Sequence, residues 1–277
     1  MIPWHLILAE RELQLQELRE KANRIKRSTG TLQTTLDAYP AIKSFIAEKF
    51  PDLDLSPVAI FITTYAAMKR VSFEHMGGCY IDSLKTIFVM DNNSLNHHDK
   101  TKGKFMSDLL RMMAAKLDVE DILVHEIMHA TSSALGRATR GFSNAEEEFV
   151  YTYCTEFYKR KGMSDQEMID KHFLTFCLND VMSSKDEMAK IFETLKITHH
   201  LRYVPWLKQY SKYELEKFMD THAEFLVPAV IAAAKTKART MIDCYHKYGC
   251  RGAPLTVDVY DTGMRFRSIN YGVEDDN

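Results

Sequence analysis

The chain has 277 residues, of which 45% are hydrophobic and 27% charged, with a formal net charge of -2. That length allows one large domain, or a domain with an appendage, and the apolar share is enough for a buried core. The near-neutral balance argues against a general polyanion binder. No apolar run approaches the roughly 18 residues of a membrane span, and the start "MIPWHLILAERE" turns charged too early for a secretory signal.

From the N-terminus, residues 4 to 27 carry apolar positions at spacings of three and four among charges, which predicts an amphipathic helix ending near Ser28, Thr29 and Gly30. A second helix is expected over 31 to 49, stopping before Pro51. This front section, residues 1 to 55, reads as an N-terminal helical segment, either a layer on the following domain or a partner-binding arm. Between 57 and 91 the period changes. "VAIFITTY", "GGCYID" and "KTIFVMD" are rich in β-branched and aromatic residues, and Ser83 to Thr86 would join the last two as a hairpin. His97, His98 and Asp99 lie on a polar stretch and read as surface. A helix over 101 to 117 follows.

The next stretch, "DILVHEIMHATSS", places three ionisable groups in an apolar run. Burying them costs several kcal/mol unless they are paired or bound to a metal. On a helix His125 and His129 are four positions apart, so both imidazoles leave one face, one turn apart. That spacing suits two nitrogens on one zinc ion, with Glu126 beside the metal as general base for its water. Asp118 and Asp121 give the helix an acidic start. A zinc site needs a third protein ligand from another element. "SNAEEEFVYTYCTEF" opens a second helix whose apolar face carries Phe149, Val150, Tyr153, Cys154 and Phe157. Ser143 with Glu146 spells a capping box, and Glu148 points away from the apolar face. Glu147 sits on the flank of that face and is the expected third ligand, with Glu146 as the fallback. The turn between the helices, Gly136 to Gly141, holds Arg137 and Arg140, a weak phosphate signal without a Walker loop.

His125-Glu126-x-x-His129 followed by a glutamate on the next helix resembles the gluzincin arrangement of zinc metallopeptidases. The finer text, "HEIMHAT", then Arg137 and Arg140, then "EEFV" from Glu147, resembles zincin-like proteins of phages and plasmids, including ArdC-type antirestriction proteins. That likeness covers residues 118 to 157. The chain departs from it at Tyr151 and Thr152, where the group tends to have Ala-Glu, and no aromatic-rich single-strand-binding domain is recognised. The resemblance implies an α+β, mostly helical fold, with a small β-sheet beside the H-E-x-x-H helix in a zincin-like metallopeptidase domain over 56 to 250. In proteases of that class an edge strand binds extended peptide by strand addition. No one strand here reads as that edge.

After 160 the sequence reads as helices over 164 to 179, 185 to 196, 206 to 219 and 221 to 247, with Pro228 kinking or delaying the last and Gly249 closing it. A terminal hairpin around Asp261 to Gly263 and an acidic tail complete a C-terminal segment, 251 to 277. Candidates to stabilise an oxyanion are Tyr151, His199, His200, Tyr203, His222 and the Arg137/Arg140 turn. Five cysteines (Cys79, Cys154, Cys177, Cys244, Cys250) show no C-x-x-C spacing, so a cysteine-rich metal site is not expected. Cys154 and Cys177 fall in apolar helix patterns and read as buried thiols of a reducing cytoplasm.

These residues predict a cytoplasmic zinc-dependent metalloprotease. His125, His129 and Glu147 hold Zn2+, Glu126 is the base, and a protein or peptide is the substrate. No membrane partner is expected, nor nucleic acid. The competing expectations are a zincin-fold protein that acts by binding, as a host-takeover or antirestriction factor does, and a structural helical protein with a chance motif.

Overall fold

The computed structural model describes residues 4–73, 77–95, 103–114, 118–136, 144–195 and 212–248. In chain order the elements are α1 (Trp4–Lys26), β1 (Leu32–Thr34), α2 (Pro40–Lys49), β2 (Ala59–Thr63), α3 (Tyr65–Lys69), β3 (Gly78–Ile81), β4 (Thr86–Met90), α4 (Asn92–Leu95), α5 (Lys104–Ala114), α6 (Val119–Ala134), α7 (Asn144–Arg160), α8 (Asp165–Met168), a π-helical turn (Ile169–Phe173), α9 (Leu174–Ser183), α10 (Lys185–Thr194), α11 (Lys212–Thr221) and α12 (Ala223–Tyr248). The fold is mostly helical with one small mixed sheet. No helix among the described residues is long and apolar enough to cross a membrane. These residues gather into two compact units. One holds the described residues up to Leu95 together with those of 118 to 150; the other holds α5 and the described residues from Tyr151 to Tyr248.

In the first unit the strands run in the order β1-β2-β4-β3. β2 and β4 are parallel, while β1 and β3 pair antiparallel on the outer sides. The expected hairpin is present, turned by a short 3-10 stretch, Asp82–Leu84, and by Lys85 at φ 45°. All five residues of β4 are buried, the pattern of a strand covered on both faces. On one face Phe61, Phe88 and Met90 pack with Ala22 and Ile25 of α1 and with Ala67, Met68 and Val71. On the other, Gly78 meets Ile122 and Glu126 of α6.

The expected helix over 31 to 49 is replaced by β1, a short 3-10 turn and α2. Pro40 occupies the first turn of α2, where its fixed φ and missing N–H are tolerated. The residues before it are freed to pair with β2, Leu32 opposite Ile62. α1 docks by its C-terminal end, where Ala22 and Ile25 are buried. Leu13, further forward, is 67% exposed.

The second unit is helical. α12 packs along α9 and also meets α5 and α10, burying Leu226, Val230, Ala234, Ala238 and Ile242. α12 begins at Ala223 and continues through Pro228. The single helix expected over 164 to 179 is broken into α8, the π-turn and α9. The Asp220 carboxylate accepts from the Phe105 N–H at 2.9 Å, capping α5 from a distant element. Cys154 and Cys177 are buried thiols outside any disulfide. The terminal hairpin and tail lie outside the described residues.

Candidate metal centre

α6 begins as its acidic start suggested. The Asp118 carboxylate accepts from the Asp121 N–H at 2.9 Å, and the Asp121 carboxylate accepts from the Asp118 N–H at 3.2 Å. This reciprocal box satisfies two donors that the helix itself cannot. Leu123, Val124, Ile127, Met128, Ala130 and Thr131 are buried around the helix, and Glu126 and His129 are buried with them. Glu126 is 7% and His129 6% exposed, and His125 is half-buried.

The two imidazoles converge. His125 Nε2 and His129 Nε2 lie 3.2 Å apart, with ring centroids separated by 4.9 Å. On the far side of the second ring, His129 Nδ1–H donates to Glu146 Oε1 at 2.8 Å. A carboxylate accepts here, so a proton sits on Nδ1, and in the neutral ring the Nε2 lone pair faces His125. Two nitrogens bound at about 2.05 Å with tetrahedral angles stand about 3.3 Å apart. The observed separation and the carboxylate behind one ring both fit a zinc ion held by His125 and His129.

Glu146, the fallback ligand, therefore contacts His129 through the nitrogen that faces away from His125. Ser143, its expected capping partner, lies outside the described residues. Glu147 is on α7, and its side chain, like that of Glu148, is not among those described.

β3 runs beside α6. The Cys79 thiol is pushed well up, first by burial and then by the negative charge of Glu126, so it stays a neutral thiol. At the other end of the strand Asp82 is a hub. Its carboxylate accepts from Tyr80 Oη at 3.1 Å and from Lys85 Nζ at 2.7 Å, and also from the Ser133 hydroxyl of α6. Burial raises the Asp82 carboxyl, but the bonds from Lys85, Ser133 and Tyr80 outweigh it and hold it below its usual value. Lys85 Nζ also donates to Ser133 Oγ at 3.0 Å. The turn after β3 is thus tied to the last part of α6.

Of the oxyanion candidates, Tyr151 and His222 belong to the second unit. Tyr151 packs on His172 and Phe173 at centroid distances of 5.3 and 5.4 Å, and His222 packs on Phe218 at 4.6 Å. Arg137, Arg140, His199, His200 and Tyr203 lie outside the described residues, as do His97, His98 and Asp99.

Sequence reasoning passed over a buried pair in the second unit. The Cys154 thiol and a ring nitrogen of His172 lie within 4.8 Å. His172 sits on the π-turn, and burial pushes its pKa down to about 3, so the ring is neutral. Its only sequence signal was a histidine inside an apolar helix pattern. Gly78 and the contact of Glu146 with His129 were also passed over, because both depend on which elements meet.

Compared with protein-family models, with curated proteins and with solved structures, the chain finds no match in any of the three.

Proposed function

We propose that this protein is a zinc-dependent metallopeptidase. The observation that carries the proposal is the 3.2 Å approach of His125 Nε2 to His129 Nε2, with Glu146 fixing the tautomer of His129. His125 and His129 would hold the metal, with Glu147 as the third ligand. Zinc in such a site supplies Lewis-acid chemistry, polarising a peptide carbonyl and acidifying water. Glu126 accepts a proton from the attacking water at a carboxylate oxygen and returns it to the leaving amine nitrogen. Its burial keeps bulk water from competing for that proton. β3 is an outer strand of the sheet beside α6, which suits it to pair with an extended peptide through main-chain hydrogen bonds.

Elemental analysis tests the metal directly. Protein purified without chelator should hold about one zinc per chain, as a three-ligand site with an open position does. His125→Ala should lose it. Absence of zinc, with no uptake when it is added, would contradict the proposal.

A further inference from the structure

Gly78 opens β3 against the residue assigned as base. A Cβ placed on it would stand 2.6 Å from Ile122 Cγ2, 3.0 Å from Glu126 Cγ and 3.1 Å from the Phe88 carbonyl oxygen. Its φ is not positive, so backbone freedom is not why glycine stands there. What the position requires is the absence of a side chain, which lets backbone approach another element closely.

The strand is not free to move aside. Gly78 is in register with Val89 in the antiparallel ladder with β4. Met90 N–H donates to the Gly77 carbonyl at 2.8 Å, and the Asp82 hub ties the following turn to Ser133 of α6. A methyl group added at 78 therefore pushes on α6, where Ile122 and Glu126 are the groups that can shift.

We propose that Gly78 is a positioning residue. Its bare backbone is the wall against which the Glu126 side chain rests, and it sets where the carboxylate stands relative to His125 and His129. This inference rests on the reading of Glu126 as the general base. A displacement of about 1 Å in a reacting group costs on the order of 10²-fold in rate, so the wall bears on the chemical step more than on substrate or metal binding.

The test is Gly78→Ala, alone and combined with Ile122→Ala, which removes the nearest obstructing carbon. Each is read beside wild type for zinc content, for peptide cleavage and for the 13C signal of the Glu126 side chain in glutamate-labelled protein. Gly78→Ala should keep its zinc and its KM, lose on the order of 10²-fold in kcat and displace the Glu126 signal. The added Ile122→Ala should restore most of both. Unchanged kcat and Glu126 signal overturn the inference, and so does a loss that Ile122→Ala does not relieve. If the zinc-loaded wild type cleaves nothing, the peptidase reading falls by itself, and the Glu126 signal still decides the role of Gly78. Where Gly78→Ala does not fold, the double variant is compared with Ile122→Ala alone. Recovery of the fold supports crowding at α6 as the cause, and a double variant that also fails to fold overturns it.

Discussion

Glu146 and Glu147 are neighbours with different predicted tasks. Glu146 accepts from His129 Nδ1 and so acts on the metal through a ligand, where such outer partners are worth about 10- to 100-fold in affinity. Glu146→Ala should weaken zinc binding by about that factor and leave a measurable site. Glu147→Ala, removing a ligand, should abolish binding at the same zinc concentrations, and Glu148→Ala should change nothing. Competition titrations with a chelator of known affinity rank the three. A Glu146→Ala protein that holds no zinc would make Glu146 the ligand instead. At this scale the spacing of His125, Glu126 and His129 was legible because positions i and i+4 of a helix meet whatever surrounds them. The contact of Glu146 was not, since it depends on where the first turn of α7 meets His129. Gly78 was legible only as part of the strand-like stretch "GGCYID". Its part in the close approach to α6 belongs to tertiary packing.

Among the elements, α6 carries both the motif and its own start signal. Asp118→Ala removes the side-chain acceptor of the capping box and should cost about 1 kcal/mol, seen as a lower urea midpoint with zinc stoichiometry unchanged. Loss of zinc in that variant would mean that the start of α6 shapes the site, contrary to a purely local cap. β3 and β4 were legible from composition and their connecting turn. β1 was not, because three residues pairing on β2 carry no period of their own, and the helical pattern of α2 extended over them. Pro40 was the signal that separates the two. The π-turn at Ile169–Phe173 interrupts an otherwise helical pattern, and the sequence carries no proline or glycine there to announce it.

For the whole molecule, His172 links folding to pH. Its folded pKa, pushed down by burial to about 3, lies below the unfolded value of about 6.5. The unfolded chain therefore binds the proton more readily, so stability is fully present above about pH 6.5 and is lost as pH falls toward 3. The slope in that window is about 1.4 kcal/mol per pH unit. Urea melts of wild type between pH 7 and 5 should show that loss, and His172→Phe, which keeps a ring against Tyr151, Tyr158 and Phe173, should flatten it. An equal slope in both proteins would assign the acid sensitivity to other groups. The mostly helical character with a small sheet followed from hydrophobic period, but the gathering into two units, with α5 grouped apart from the elements on either side of it, followed from no local signal. Peptide cleavage by this protein is expected to turn on Glu126. Glutamine keeps the size of the side chain and removes the proton acceptor, and general-base contributions are about 10²- to 10⁴-fold. The most direct measurement is digestion of an unbiased peptide library by zinc-loaded wild type and zinc-loaded Glu126→Gln. The expected result is cleavage by wild type and none detectable with Glu126→Gln, at equal zinc content and equal melting temperature. Cleavage by Glu126→Gln at the wild-type rate, or no cleavage by zinc-loaded wild type, would contradict the account.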